Sequence, residues 1–217
     1  MRNVVKAKIC GIAREEDLAT ALEAGADAVG FVVGVPTSPR NISLKKAEEL
    51  VGKVPPFTKS VLVMVPDSLK ELAEAHEMVG PDALQIHGDN LPDADSIRAE
   101  IRGASLIRAI NPEPGEALEA AEATAGFDAI LLDTFVPGMH GGTGATQDWS
   151  MSRKIRQAIH PRKLILAGGL KPSNVQEAIL AVKPYAVDVS TGVESSPGIK
   201  DPEKIISFID RVREVER

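Results

Sequence analysis

Two side chains capable of proton transfer stand at the ends of apolar segments in this sequence. Cys10 closes the segment Val5–Cys10, and Asp133 closes the segment Phe127–Asp133. A thiolate can serve as a general base and a protonated carboxyl group as a general acid. Because an unpaired carboxylate is costly to bury, Asp133 must meet a partner or face a cavity, where partial desolvation would raise its pKa. The alternatives are a loop-capping carboxylate for Asp133 and a small core side chain for Cys10.

Two glycine-containing segments later in the chain could bind an anion. They are Gly168–Gly169 and Ser190–Gly192, and each follows an apolar segment. Glycines allow backbone N–H groups to approach phosphate oxygens closely, and a following helix N-terminus adds a favourable field. Either segment alone could equally be a tight turn, whereas the two together favour a phosphate site. We assign to this site Gly168, Gly169, Ser190 and Gly192.

A third glycine-rich segment, Gly141–Gly144, superficially suggests a nucleotide-binding loop. It lacks the Gly-Lys-Ser/Thr ending of such a loop and follows the sixth strand of a longer series. We therefore expect this segment to cover the substrate, or to supply the backbone N–H groups of Gly142 and Gly144 to the same phosphate.

Arg40 and His87 are further candidates for substrate contacts. Arg40 ends the segment Pro36–Arg40, whose prolines stiffen a loop after the second apolar segment. Its guanidinium could hold an anionic group through two parallel hydrogen bonds, although a structural salt bridge is the commoner role of a surface arginine. His87 closes the fourth apolar segment, and it has no histidine two or four positions later. We assign His87 to substrate binding and expect no metal site.

These residues require a scaffold that brings the ends of distant segments together. Short apolar segments alternate with segments of helical spacing eight times along the chain. The predicted strands are Val5–Cys10, Ala28–Gly34, Lys59–Val65, Ala83–His87, Ser105–Ile110, Phe127–Asp133, Lys163–Ala167 and Ala186–Ser190. Strands without a solvent-facing side are typical of a closed parallel barrel, and the main alternative is an open doubly wound sheet. The sequence therefore predicts an α/β fold, a single (β/α)8 TIM barrel over residues 1–217, with functional residues at the carboxyl ends of its strands.

Several helix starts can also be predicted from residues that accept hydrogen bonds from free backbone N–H groups. Ser43, Asp148, Ser173 and either Asp67 or Ser68 occupy such positions. Pro202 occupies a first-turn position of the last helix, where its missing N–H is not needed.

The composition excludes several classes of protein. Hydrophobic residues make up 43% and charged residues 26% of the 217 residues, as in a globular protein with a large core. A net charge of −6 and the lack of a basic cluster disfavour nucleic acid as a partner. The sequence has neither an apolar run of the roughly 18 residues that cross a bilayer nor a signal-peptide core, so we expect a cytoplasmic protein with no membrane partner. One cysteine cannot form an intramolecular disulfide, and the sequence leaves monomer and homodimer open.

Seven short motifs spread over nearly the whole chain resemble those of the phosphoribosylanthranilate isomerase family of tryptophan biosynthesis. They are Lys8–Ile9–Cys10–Gly11, Ser38–Pro39–Arg40, Gln85–Ile86–His87–Gly88, Leu131–Leu132–Asp133–Thr134, Gly141–Gly142–Thr143–Gly144 with Asp148–Trp149, Ala167–Gly168–Gly169–Leu170, and Asp188–Val189–Ser190 continuing through Gly192–Val193–Glu194. Each motif alone is a weak signal, whereas seven in register are highly specific.

The resemblance implies an Amadori rearrangement without a cofactor, which converts N-(5-phosphoribosyl)anthranilate to 1-(2-carboxyphenylamino)-1-deoxyribulose 5-phosphate. It implies that the group matching Asp133 protonates the furanose ring oxygen and that the thiolate matching Cys10 removes the C2 proton. The arginine matching Arg40 would hold the anthranilate carboxylate of this small-molecule sugar-phosphate substrate. The backbone donors implied for its phosphate surround Gly142, Gly144, Gly169 and Gly192.

Two positions depart from the family pattern, with Ala145 in place of a lysine and Gln147 in place of an aromatic residue. We expect these departures to weaken substrate binding before they impair the chemistry. Other phosphate-binding barrels fit less well, because the related histidine-pathway isomerase would have an aspartate at Cys10 and ribulose-phosphate epimerase would have metal ligands at the strand ends. A catalytically silent phosphate-binding barrel would need neither Cys10 nor Asp133.

Overall fold

The computed structural model describes residues 5–88, 93–111, 116–133 and 149–215. Several positions singled out in the sequence lie outside the described residues. They are the predicted loop Thr134–Gln147, with Gly142, Gly144, Ala145 and Gln147, and the predicted helix cap Asp148.

Eight parallel strands form the centre of the fold. They are β1 (Lys6–Cys10), β2 (Ala28–Val33), β3 (Lys59–Met64), β4 (Ala83–Ile86), β5 (Ser105–Ile110), β6 (Ala129–Asp133), β7 (Lys163–Ala167) and β8 (Ala186–Val189). Each strand pairs with the next along the chain, and β1 also pairs with β8, so the sheet closes on itself. Lys8, for example, lies opposite Ala28 of β2 on one side and Asp188 of β8 on the other. The predicted closed barrel is therefore confirmed, and the open sheet is excluded.

In the described ranges, eight α-helices alternate with these strands. They are α1 (Glu15–Glu23), α2 (Leu44–Val51), α3 (Leu69–Val79), α4 (Ala94–Glu100), α5 (Ala117–Glu122), α6 (Ser150–Ala158), α7 (Val175–Val182) and α8 (Pro202–Glu214). Each connects one strand to the next, except α8, which follows the last strand and packs against α1 and α7. None of the helices in the described ranges is both long and apolar enough to traverse a membrane.

The helix starts follow the capping residues closely. The hydroxyl groups of Ser43 and Ser68 each accept a hydrogen bond from the backbone N–H three residues later. Ser68, not Asp67, is thus the cap of α3. The helix α7 begins two residues after Ser173, and α8 begins at Pro202 as predicted.

Short elements at the carboxyl end of the barrel were not predicted. A two-residue strand, Asn41–Ile42, pairs with β2 after the proline-containing loop. After β8 the chain forms a single 3-10 turn, Thr191–Val193, and then a small antiparallel hairpin of Glu194–Ser196 and Ile199–Lys200. These elements are too short to show a hydrophobic period, so only tertiary contacts reveal them.

Alternate residues of the strands enter two separate apolar cores. One core lies between the strands and the helices and includes the buried side chains Ile9, Phe31, Leu62, Leu84, Ile130, Leu164 and Val187. The other fills the barrel and includes Cys10, Val61, Val63, Ile107, Leu131 and Ile165. Because successive side chains point to opposite faces of a strand, Lys8, Asp133 and Asp188 share the inward side with the residues two positions away.

A short sequence that occurs three times lies at the amino-terminal end of the barrel. Gly-x-Asp-Ala occurs at residues 25–28, 80–83 and 126–129, directly before β2, β4 and β6. Asp27, Asp82 and Asp128 each accept a hydrogen bond from a backbone N–H at the start of the preceding strand, at 2.9, 2.9 and 2.8 Å. Each carboxylate also pairs with a basic side chain. One carboxylate thus joins β2 to β1, β4 to β3 and β6 to β5.

Candidate active site

Cys10 ends β1 at the carboxyl-terminal mouth of the barrel, with 7% of its surface exposed. A Cβ atom at Gly30 of β2 would lie 2.9 Å from Sγ, so the thiol packs into space that only glycine leaves open. Burial raises the pKa of the thiol above its usual value of 9.0, whereas Lys8 and Lys200 act to lower this pKa and Asp188 to raise it. In the free protein Cys10 is therefore mainly a thiol at neutral pH.

Lys8 and Asp188 form a buried ion pair inside the barrel. The ammonium Nζ donates to Oδ1 of the carboxylate at 2.8 Å, and the side chains are 4% and 8% exposed. Burial acts to lower the pKa of Lys8, but Asp188 and Cys10 outweigh burial and raise this pKa above its usual value. Lys8 is therefore protonated at neutral pH, and it places a positive charge within the barrel.

Asp133 ends β6, where it lies opposite Ala167 of β7. It is partly buried, and its position in the strand puts it on the same side as Ala129 and Leu131, which fill the barrel. Since all strands are parallel, the carboxyl ends of β1 and β6 open at the same mouth. The structure therefore places Asp133 and Cys10 at the same end of the barrel, and both occupy strand positions that face its inside.

Arg40 forms a two-point ion pair with Glu194 at this mouth. Its Nε donates to Oε1 at 2.7 Å and its Nη2 to Oε2 at 2.6 Å, while Nη1 has no hydrogen bond within the described residues. The fully buried Lys200 donates to the same Oε1 at 2.9 Å. Burial acts to raise the pKa of Glu194, but Arg40 and Lys200 outweigh burial and hold this pKa below its usual value. The salt-bridge alternative considered for Arg40 is therefore present in the structure.

The loop that carries Arg40 is fixed by two glycines. The aliphatic part of Arg40 lies over Gly11, where a Cβ atom would collide with it. Gly198, at the turn of the short hairpin, adopts a φ of 79° and lies against the backbone of Pro39. The hairpin thus supplies both the carboxylate that orients Arg40 and the surface that supports its loop.

His87 follows β4 and lies partly buried near the same mouth. Burial lowers the pKa of His87 from 6.5 to about 4, with Lys8 and Arg108 adding to this effect and Asp188 opposing it. The imidazole is therefore neutral at neutral pH, and its Nε2 lies 3.0 Å from the amide nitrogen of Gln85. Because an amide NH2 only donates, Nε2 accepts this bond and Nδ1 carries the proton.

No group of three His, Cys, Asp or Glu side chains suitable for a metal ion occurs in the part of the chain that the structure describes. Residues 89–92, 112–115 and 134–148 lie outside the described ranges, so the finding does not apply to them.

The glycine-containing loops after β7 and β8 are in direct contact. Gly168 and Gly169 have φ values of 88° and 64°, which side chains other than glycine rarely adopt. A Cβ atom at Gly192 would overlap the carbonyl group of Leu170, so the two backbones approach as closely as glycine permits. Ser190 lies between this contact and β1, with its hydroxyl 3.0 Å from the Cβ position of Gly11. The structure thus brings the four predicted phosphate-site residues together at neighbouring strand ends.

Sequence reasoning missed the charged residues that surround the predicted site. Asp188, Glu194 and Lys200 were not proposed as site residues, although all three are charged residues in or next to apolar strand-like segments. Asp188 could have been suspected for the same reason as Asp133, since it interrupts an apolar strand. Glu194 stands in the last of the seven motifs but was given no role there. Lys200 gave no signal, because its hairpin is too short to recognise.

Comparisons with known proteins give one consistent result. The family model described as N-(5'-phosphoribosyl)anthranilate (PRA) isomerase matches residues 7–211. The N-(5'-phosphoribosyl)anthranilate isomerase of Methanothrix thermoacetophila is 46% identical over 211 residues, which cover 97% of this chain and 99% of that protein.

Solved structures agree with the sequence comparison. A phosphoribosyl anthranilate isomerase in complex with reduced 1-(o-carboxyphenylamino)-1-deoxyribulose 5-phosphate has a TM-score of 0.82 at 37% identity, covering 97% of this chain and 99% of that chain. Monomers generated from the dimeric Thermotoga maritima enzyme have a TM-score of 0.81 at 35% identity, with the same coverage. These relatives have been studied with a small sugar-phosphate ligand and in both assembly states.

The match therefore extends over the sequence, the closed barrel and the strand ends that carry the predicted site. The expectation from the seven motifs is confirmed at the level of the family and its reaction. This chain belongs to the N-(5'-phosphoribosyl)anthranilate isomerase family, and it is an isomerase of tryptophan biosynthesis built on a (β/α)8 barrel.

Proposed function

We propose that Asp133 and Cys10 are the general acid and general base of the rearrangement. Asp133 donates its proton to the furanose ring oxygen as the bond from this oxygen to C1 breaks, which leaves an iminium ion at C1. The Cys10 thiolate then removes the proton from C2, and the electron pair neutralises the iminium to give an enolamine. Tautomerisation of the enolamine yields the ketone product. The observation that carries this assignment is that each group is the last residue of its strand, at a position that faces the inside of the barrel at the same mouth.

The acid and the base require opposite protonation states. Asp133 must be protonated and Cys10 ionised at the same time, although an ordinary carboxyl group has the lower pKa of the two. Only a fraction of the free protein holds this pair of states, because burial raises the pKa of Cys10. The catalytic rate at neutral pH therefore depends on groups that favour the thiolate.

Arg40 is proposed to hold the carboxylate of the anthranilate ring. Its guanidinium already binds one carboxylate through Nε and Nη2, which fixes the plane of the group. The edge formed by Nη1 remains for a second carboxylate, and a guanidinium can bind carboxylates along two edges. Glu194 and Lys200 would then orient Arg40 without being displaced by the substrate.

The phosphate of the substrate is proposed to bind at the contact between the loops after β7 and β8. The proposed donors there are the backbone N–H groups of Gly168, Gly169, Ser190 and Gly192. The positive φ values of the glycines and the close approach of Gly192 to Leu170 support this assignment. Gly142 and Gly144, which lie outside the described residues, are proposed as additional donors. His87 is proposed to contact the substrate as a neutral imidazole that donates from Nδ1.

The experiment that tests these roles follows the loss of phosphoribosylanthranilate fluorescence in wild type, Cys10→Ser and Asp133→Asn. We expect either substitution to lower kcat about 10²- to 10⁴-fold, as is typical for loss of a general acid or base. Asp82→Asn, at the opposite end of the barrel, is the matched control and should retain kcat. Full activity in both mouth variants would refute the assignment.

We further propose that residues 1–217 form a single domain, that the protein works in the cytoplasm, and that it is a monomer or a homodimer. The fully exposed phenyl ring of Phe57, beside a cavity lined by Val54, Pro55 and Pro56, is a surface that a homodimer would cover. Light scattering at several protein concentrations distinguishes the two assembly states.

A further inference from the structure

The layer of the barrel directly below Cys10 contains a buried charged pair. Lys8 and Asp188 are joined at 2.8 Å, with side chains 4% and 8% exposed, among apolar residues such as Val61 and Ile165. An ion pair withdrawn from water contributes little net stability, because the cost of desolvating both charges offsets their attraction. The presence of this pair therefore calls for a reason other than folding.

Lys8 is bonded to Asp188 and lies beside Cys10. A Cβ atom at Gly30 would lie 2.9 Å from Sγ of Cys10 and 3.1 Å from Nζ of Lys8, so both atoms pack against the same open face of this glycine. The positive charge of Lys8 acts to lower the pKa of the Cys10 thiol, against the larger effect of burial that raises this pKa. A negative charge that develops on Sγ thus meets a positive charge already in place.

The other charged and titratable groups around Cys10 come from several elements of the mouth. Lys200 of the hairpin acts on Cys10 directly, with Arg40 and Glu194 beside Lys200. His87 after β4 and Asp133 at the end of β6 belong to the same mouth. Lys200 also favours the thiolate, but its ammonium is already bonded to Glu194 and to the carbonyl oxygen of Ser190. Against the burial that raises the pKa of Cys10, Lys8 is the cation with the largest opposing effect.

We propose that Lys8, held in place by Asp188, is a positioning residue that keeps a positive charge against Sγ of Cys10 and so makes the thiolate available as the base. This inference rests on the proposed role of Cys10 at C2. Lys8 acts through Cys10, and Asp188 prevents the ammonium from turning away or losing its proton. Gly30 provides the space in which the two side chains meet.

The test uses the fact that Cys10 is the only cysteine in the chain. Ultraviolet absorbance of the thiolate, measured across pH against Cys10→Ser, therefore reports the ionisation of this thiol alone. The main variant is Lys8→Met with Asp188→Asn, which removes both charges together, because Lys8→Met alone would leave an unpaired buried carboxylate. The matched control is Lys6→Met with Asp27→Asn, a pair at 3.0 Å that begins on the same strand at the amino-terminal end.

We expect the main variant to lower the acid dissociation constant of the Cys10 thiol about threefold or more. The variant removes both the favourable effect of Lys8 on the thiolate and the smaller unfavourable effect of Asp188, so the loss is less than that of a lone opposite charge. The ascending limb of kcat/KM against pH should move to higher pH by as many pH units as the thiol titration does. KM measured at high pH should not change. The control pair should change neither the thiol titration nor the pH profile. Circular dichroism establishes that both double variants are folded.

Two results would overturn the proposal. A folded main variant whose thiol ionises as in wild type would show that Lys8 does not influence Cys10, whatever its activity. A displaced thiol titration with an unmoved kcat/KM limb would show that Cys10 is not the base, which refutes the proposed function instead. Because the absorbance measurement requires no turnover, the two failures are distinguishable.

Discussion

Both ends of the barrel contain carboxylates, but the carboxylates differ in their exposure and in the partners that hold them. At the amino-terminal end the side chains of Asp27, Asp82 and Asp128 are 21%, 35% and 47% exposed, and each accepts a hydrogen bond from a backbone N–H in addition to pairing with a basic side chain. At the mouth, Asp188 and Glu194 are 8% and 6% exposed and are held by cationic side chains. Carboxylates of the first kind join strands, whereas those of the second kind set the position and charge of other side chains. The difference separates residues that maintain the fold from residues that prepare the site.

Replacing one carboxylate with an amide at each end should give the largest difference between the two ends in activity and stability. Asp133→Asn should lower kcat about 10²- to 10⁴-fold while leaving the thermal midpoint near that of wild type. Asp27→Asn should do the reverse, lowering the free energy of unfolding by about 1 to 3 kcal/mol with kcat unchanged, because it weakens charge-assisted hydrogen bonds. Activity assays and urea titrations of the same preparations measure both quantities. Parallel losses in both variants would show that the two ends are not functionally separate.

Acid should destabilise the two ends in different pH windows. An ordinary histidine takes up a proton below about pH 6.5, whereas in the folded protein the pKa of His87 is about 4. The unfolded chain therefore binds the proton first, so stability falls as the pH drops from 6.5 to 4, by up to about 3 kcal/mol. The pKa values of Asp27, Asp82 and Asp128 lie below 3.8 despite the opposing effect of burial, so their contribution is lost only at more acidic pH.

Urea unfolding across pH, with His87→Asn as the variant, separates the two windows. The variant should remove the stability loss between pH 6.5 and 4 and leave the loss at lower pH in place. His160→Asn, at an exposed position, is the matched control and should follow the wild-type curve. A wild-type slope that persists in His87→Asn would contradict the buried, neutral state of this imidazole.

Arginines at the two ends should also differ in their effect on substrate affinity. Arg40→Lys keeps a positive charge but loses the planar two-point geometry, so we expect KM to rise about 10- to 100-fold with a smaller change in kcat. Arg213→Lys is the matched substitution, since Arg213 binds Asp27 and the carbonyl oxygen of Val5 at the amino-terminal end. Steady-state kinetics of the two variants should show a raised KM only for the first. An unchanged KM in Arg40→Lys would remove Arg40 from substrate recognition.

Inorganic phosphate should stabilise the folded protein by binding at the mouth. This effect should be smaller than those of the substitutions above. At ten times its dissociation constant, a ligand of the folded state stabilises it by about 1.4 kcal/mol, which raises the thermal midpoint by a few degrees. Gly192→Ala should abolish this rise, because its Cβ would separate the loops after β7 and β8. Gly52→Ala, whose Cβ would have ordinary contacts, should keep the rise. A midpoint independent of phosphate in wild type would argue against the proposed anion site.

Much of the scaffold follows from local sequence patterns. The bounds of β5 and β7 are as predicted, and the other strands differ from prediction by one or two residues at an end. Such segments are recognisable because a parallel strand buried on both faces must be apolar along its whole length. The serine caps of α2 and α3 and the proline at the start of α8 follow equally local rules.

The charged network of the mouth could not be obtained in this way. Lys8 and Asp188 are 180 residues apart, and Arg40 and Glu194 are 154 residues apart. No periodicity relates residues at such separations, because their contact depends on barrel closure between β1 and β8 and on a hairpin of two very short strands. The resemblance to a known family named Arg40 as a carboxylate ligand but did not reveal the carboxylate that already holds it.

The sequence by itself determined the order of strands and helices, the family, and the placement of Cys10 and Asp133 at strand ends. These properties depend on hydrophobic period, capping residues and short motifs, which are readable along the chain. The tertiary structure alone decided the protonation of the site, since the pKa of Cys10 reflects burial together with Lys8, Lys200 and Asp188. Desolvation and Coulomb interactions depend on distances through space, so they emerge only when the barrel has closed.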